Sequence, residues 1–194
     1  VDDIRARIDP LAPVKPGVSR AAGEPHMTLV DLETDLLVAG GGLAGVCTAI
    51  AAARHGAKVV LVQDRSRLGG NSSSEVKMHV VGANSRHKGW REGGILEEIR
   101  LADAVNNPQR CWELWDLLLY DKVVSERNIA LLLDSTLYSA RRKGDRIEEA
   151  LVRSDRTEHI YRIKAKMFCD ATGDSRLALE AGAEMRTGRE ARTE

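Results

Sequence analysis

The sequence predicts an α/β protein: a Rossmann-like domain whose parallel sheet carries helices and an antiparallel β-meander. Three observations predict it. Leu36, Leu37, Val38 and Ala39 form an apolar run that ends in Gly40-Gly41-Gly42, an Ala-rich stretch occupies residues 43–55, and a second apolar run covers 58–62. A short apolar run bounded by glycine suits a strand buried on both faces, as in a parallel sheet. The Ala-rich stretch is a helix, with Gly56 placed to stop it. Strand, glycine turn, helix and strand within about 30 residues make a βαβ unit, whose crossover is right-handed in nearly all proteins.

The other elements follow from punctuation and period. Residues 1–33 carry Pro10, Pro13, Pro16, Gly17, Gly23 and Pro25, which predicts an irregular extension. The domain proper is expected over 34–194. Residues 64–90 are loop-like, with a short strand at 76–81. Ile95, Ile99 and Ala102 fall on one face of a helix at 93–105. Asn107-Pro108 reads as a cap and first helical residue. The helix they open runs to Glu126, with Trp112, Trp115, Leu118 and Leu119 as its buried stripe. A strand at 129–133 and a meander within about 135–164 (135–142, 146–153 and 158–164) come next. A separate strand at 166–169 delivers Asp170-Ala171-Thr172-Gly173-Asp174, and a helix closes the series at 175–181.

Composition narrows the function. The 194 residues hold 29 Lys plus Arg against 29 Asp plus Glu, so no net charge draws the chain to nucleic acid or an anionic membrane. No apolar run approaches the length of a transmembrane helix. Cys47, Cys111 and Cys169 are odd in number and lack C-x-x-C spacing. That argues against a disulfide framework, a zinc site or a dithiol centre, and for a reducing, cytoplasmic setting. The sequence fixes no oligomeric state.

Gly40, Gly42 and Gly45 match G-x-G-x-x-G in the context that pattern needs, after a strand and opening a helix. Gly40 allows the turn, Gly42 lets a pyrophosphate approach the backbone, and Gly45 lets the helix pack on the strand. Leu43 and Ala44 lie in the same turn, at a helix N-terminus that favours anions. A carboxylate about 20 residues on usually holds the adenosine ribose. Here stand Gln63, which hydrogen-bonds without charge, then Asp64, an alternative ribose partner, and Arg65, which suits a 2′-phosphate and keeps NADP in view. The loop Leu68-Gly69-Gly70-Asn71-Ser72-Ser73 has the glycines and hydroxyls to wrap a long dinucleotide. Ala171, Thr172, Gly173 and Asp174 are small enough for close approach of a cofactor. His79 and His87 are candidates for proton handling, although loop histidines are more often surface residues. Arg86, His87, Lys88 and Arg91 form a basic cluster. Core packing explains Trp112 and Trp115, and a buried structural role suits Cys47.

Together these segments resemble the FAD-dependent oxidoreductases of the two-dinucleotide-binding-domain superfamily. They resemble in particular a bacterial group with Leu-Gly-Gly-Asn-Ser-Ser-Ser-Glu after Val-Gln-Asp-Arg. The resemblance covers about residues 35–192. It implies FAD, with pyrophosphate at Gly40, Gly42 and Gly45, ribose at Gln63, residues 70–73 wrapping the cofactor, and 171–174 crossing near the ribityl chain. It also implies hydride transfer from a small-molecule substrate, and further sequence for a substrate domain, so the chain is expected to be an N-terminal portion. Two other readings keep the fold: an NAD(P)-binding dehydrogenase domain, and a non-catalytic nucleotide-binding scaffold.

Overall fold

The computed structural model describes residues 20–21, 24–80, 93–186 and 188. Its elements in chain order are β1 (Arg20–Ala21), β2 (Glu24–Ala39), α1 (Leu43–Arg54), β3 (Val59–Val62), a 3-10 turn (Gly70–Ser72), α2 (Gly94–Asn106), α3 (Trp112–Val124), β4 (Ile129–Leu132), β5 (Thr136–Lys143), β6 (Arg146–Ser154), β7 (His159–Asp170) and α4 (Arg176–Glu180). The described strands form one seven-stranded sheet. Its order is β4-β3-β2-β7-β6-β5, with β1 antiparallel on β2. β4, β3, β2 and β7 run parallel, and β5, β6 and β7 form the antiparallel meander.

Residue parity decides which side of the sheet each strand residue serves. Val38, Val59 and Leu61 face α1, α2 and α3, where they pack with Val46, Ile50, Ile99, Trp115 and Leu119. Leu37, Ala39, Val60 and Val62 face the other way, into a second cluster with Val30, Leu32, Val152, Ile163 and Leu177 of α4. β3 is buried at all four positions, the pattern of a parallel strand covered on both faces. Each fully buried Val or Leu contributes roughly 1.5–3 kcal/mol relative to exposure. β3 therefore anchors both layers.

Four sequence expectations are corrected. The boundary at residue 34 falls inside β2, which already begins at Glu24. Val30, Leu32 and Thr34 are buried while Asp31 and Glu33 are exposed, a two-residue alternation that outweighs the nearby prolines. Residues 1–19 lie outside the described residues. Asn107-Pro108 does not open a helix, because the Asn107 amide accepts from the Cys111 N–H at 2.8 Å and donates to the Cys111 carbonyl at 2.7 Å. That ring holds a turn with Arg110 at φ 57°, and α3 starts only at Trp112. The strands expected at 158–164 and 166–169 are one strand, since β2 pairs with β7 from Thr28↔His159 through Ala39↔Asp170. Of the strand expected at 76–81, residues 76–80 form a turn and an irregular stretch.

Ion pairs tie the three helices on one face. Arg54 of α1 meets Glu98 of α2 at 2.6 Å and Glu126, just past α3, at 2.6 Å; Lys122 of α3 meets Glu98 at 2.7 Å. Hydrogen bonds from Arg54 and then Lys122 hold the Glu98 carboxyl down at about 2. A depressed carboxyl stabilises the fold above its unfolded value and loses that contribution as pH falls through the folded one. Glu98→Gln is therefore expected to cost about 0.5–1 kcal/mol at pH 7, solvent screening included. The variant should also flatten the loss of stability between about pH 4.5 and 2. Urea melts across that range check both.

Candidate functional site

The site begins where β2 ends. Gly40 donates its N–H to the Val62 carbonyl at 2.8 Å and turns with φ +100°. A Cβ there would sit 2.3 Å from the Ala171 carbonyl oxygen, so residue 40 must be glycine on two counts. The Ala171 N–H reaches back to the Ala39 carbonyl at 2.7 Å. A Cβ on Gly45 would lie 1.9 Å from the Gly40 carbonyl oxygen. This is the close helix–strand approach the motif predicts.

Gly42 differs from both. Nothing lies within 4 Å of the position its Cβ would take. It is the N-cap of the twelve-residue α1, and no side chain caps that end. The first N–H groups of a helix have no partner within it, and they favour an anion. The structure thus offers open space in front of a helix N-terminus, bounded by backbone. A phosphate fits such a cradle, whereas a side chain at residue 42 would fill it.

The loop after β3 is strapped onto this turn. Gly69 donates its N–H to the Gly41 carbonyl at 2.8 Å, Gly42 and Gly69 form a parallel bridge, and a Cβ on Gly70 would be 3.3 Å from the Gly42 Cα. Its hydroxyls serve the loop itself. Ser72 donates to the Gly69 carbonyl and Ser73 to the Gly70 carbonyl, and both residues are buried, while Asn71 is exposed. Each hydroxyl thus gives its proton to the loop's own backbone. Asp116 of α3, only 6 % exposed, accepts from the Ser74 N–H at 2.9 Å and from Arg67 at 3.1 Å. Sequence reasoning passed over it; its signal was an acid on the buried stripe of an amphipathic helix.

Gln63 is bonded at both ends of its amide. Its Oε1 accepts from the Gly41 N–H at 2.7 Å and its Nε2 donates to the Arg67 carbonyl at 3.0 Å. The residue is only 4 % exposed. Asp64 is exposed, and Arg65 pairs with Glu75 at 3.1 Å.

At the end of β7, Asp170 shapes the third segment. Its carboxylate accepts from the Thr172 N–H and hydroxyl and from the Ala178 N–H, while the Thr172 oxygen accepts from the Arg176 N–H. Thr172 thus organises the loop, and Gly173 and Asp174 are exposed at its tip. The structure therefore brings three of the sequence-predicted segments together, around 40–45, 69–73 and 171–174.

His79 is not brought to that turn. Its ring lies against Trp112, with centroids 5.1 Å apart, beside a cavity of about 270 Å³ between α2 and α3. His87 and the basic cluster of Arg86, Lys88 and Arg91 lie outside the described residues. Burial pushes the Cys47 and Cys169 thiols up, which disfavours thiolate chemistry at either. Among the described residues, no group of three His, Cys, Asp or Glu is placed to hold a metal.

Comparison with known proteins decides the family. The model of the FAD dependent oxidoreductase family matches residues 35–194. The chain belongs to this family. FAD is the family's cofactor, and its members are oxidoreductases. Aklavinone 12-hydroxylase DnrF of Streptomyces peucetius is 37% identical over 84 residues, 43% of this chain and 16% of the hydroxylase. THI4 of Thermovibrio ammonificans superposes with a TM-score of 0.54 at 20% identity, over 78% of this chain and 64% of THI4. The flavin-dependent brominase Bmp2 gives 0.51 at 14% identity, over 75% of this chain and 39% of the brominase. These two likenesses show a shared fold. The chain spans about one sixth of the hydroxylase it matches and under two thirds of THI4.

Gly45→Ala drives a methyl into the Gly40 carbonyl. It is expected to cost more than about 3 kcal/mol, in the range reserved for severe steric faults. Chemical denaturation against wild type measures the loss.

Proposed function

We propose that this chain is the FAD-binding portion of a flavin-dependent oxidoreductase acting on a small-molecule substrate. The family match supplies FAD as the ligand, and one observation places it: the open space at Gly42, in front of the α1 N-terminus, where two further backbone loops converge. Backbone N–H groups of residues 43–45 would hold the pyrophosphate, with Gly69 and Gly70 as the facing wall. The loop at 171–174 would lie along the ribityl side, its shape set by Asp170 and Thr172. When bound, FAD supplies hydride acceptance from a substrate and return of the electrons to an acceptor. The chain's own part is to bind and orient.

The FAD reading is favoured over NADP by the amide of Gln63 being bonded to the Gly41 N–H and by Arg65 having Glu75 as a partner. Among the described residues, no helix is long and apolar enough to cross a membrane. Three free cysteines support a reducing, cytoplasmic setting. Neutral net charge offers nothing to nucleic acid.

The test is a titration of the intact protein with FAD, followed by flavin fluorescence and the visible spectrum, with NADPH in parallel. Saturable FAD binding is expected, and Gly42→Val should abolish it while leaving the cofactor-free melting temperature within a few degrees, since the added side chain enters open space. Failure of folded wild type to bind FAD would overturn the proposal.

A further inference from the structure

Position 63 is where dinucleotide folds of this kind ordinarily keep a carboxylate for the ribose. The chain's Gln63 is engaged in something else. Its amide spans two backbone groups, the Gly41 N–H at the centre of the glycine turn and the Arg67 carbonyl at the entry to the loop that faces it, and so adds a side-chain tie to the backbone bond from the Gly69 N–H to the Gly41 carbonyl. The surroundings are tight. A Cβ on Gly41 would lie 2.9 Å from the Gln63 Cβ and 2.7 Å from Leu68 Cδ2. The main chain at 63 is held as well, the Gln63 N–H by the Leu132 carbonyl and the Gln63 carbonyl by the Ser135 N–H. The side chain thus projects from a fixed point on the sheet, and both ends meet fixed partners.

We infer that Gln63 is a positioning residue that sets the distance between the glycine turn and the loop of residues 67–70, and makes no contact with the ribose. The two bonds require one acceptor and one donor on the same planar group. An amide supplies both; an ionised carboxylate supplies two acceptors and would turn one of them toward the Arg67 carbonyl. The residue that looks like a weakened ribose ligand is the form this turn needs. A carboxylate at 63, the apparent restoration of the usual pattern, is expected to harm the site. The inference rests on the FAD reading above and specifies how that site is held open to its ligand.

The experiment uses the intact protein, stripped of cofactor, as wild type, Gln63→Glu and Gln63→Met. FAD and its 2′-deoxyadenosine analogue are titrated at a temperature where circular dichroism shows each protein folded. The inference predicts that both variants lose about tenfold in affinity, the scale of one hydrogen bond left unmade. It also predicts that the loss is the same for FAD and for the analogue. In Gln63→Glu the loss should shrink as pH is lowered and the introduced carboxyl gains a proton to donate. A residue that only supports the fold would leave both affinities unmoved in folded protein, and a ribose ligand would affect FAD but spare the analogue; either result overturns the inference. Should both variants fail to fold, hydrogen exchange on cofactor-free wild type decides instead: a slowly exchanging Gly41 amide supports the brace, and a fast one refutes it. Wild type that binds neither flavin would refute the FAD reading itself, whereas tight binding by wild type and Gln63→Glu alike would refute only the role of Gln63.

Discussion

The contact between the Gly40 carbonyl and the absent side chain of Gly45 is the constraint on which the rest of the site depends. With a Cβ there, 1.9 Å from that oxygen, α1 would have to move off the end of β2. Its N-terminus would then no longer face the space at Gly42. The same close packing sets the third loop, because Gly40 also lies under the Ala171 carbonyl. One carbonyl and two missing side chains thereby fix the helix, the turn and the loop after β7 together.

Polar side chains around the site do scaffold work. Asp116 is spent on Arg67 and Ser74, Asp170 on Thr172 and Ala178, and Ser72 and Ser73 on their own loop. The N-terminus of α1 adds main-chain N–H groups, and no side chain caps them. A backbone cradle at a helix N-terminus attracts phosphate through N–H groups and the helix dipole, without reading the rest of a ligand. It is therefore the family match, more than the cradle, that distinguishes FAD from other dinucleotides.

The βαβ unit was legible because its signals are local: glycine spacing, an apolar strand and an Ala-rich helix. The alternation from Val30 to Thr34 was equally local, but a run of prolines and glycines before it masked the start of β2. The continuity of β7 depends on its pairing with β2 along the whole length, a non-local fact no window of sequence contains. Gln63, Ser72 and Ser73 illustrate the limit at the site. Their residue types suit ligand contact and internal bracing equally, and the bracing bonds become visible only with the three-dimensional placement of Gly41, Arg67, Gly69 and Gly70. Asp116 lay on a helix far along the chain, where sequence gives no hint of which loop it would meet.

Hydrogen exchange on the intact protein, without and with saturating FAD, tests the central claim most directly, because it reports local opening segment by segment. The single-cradle account predicts that residues 41–46, 69–74 and 171–178 gain protection together as FAD saturates, while the meander of β5 and β6 is unchanged. Protection confined to the cavity beside His79 and Trp112, with the three glycine-turn segments unaffected, would contradict it.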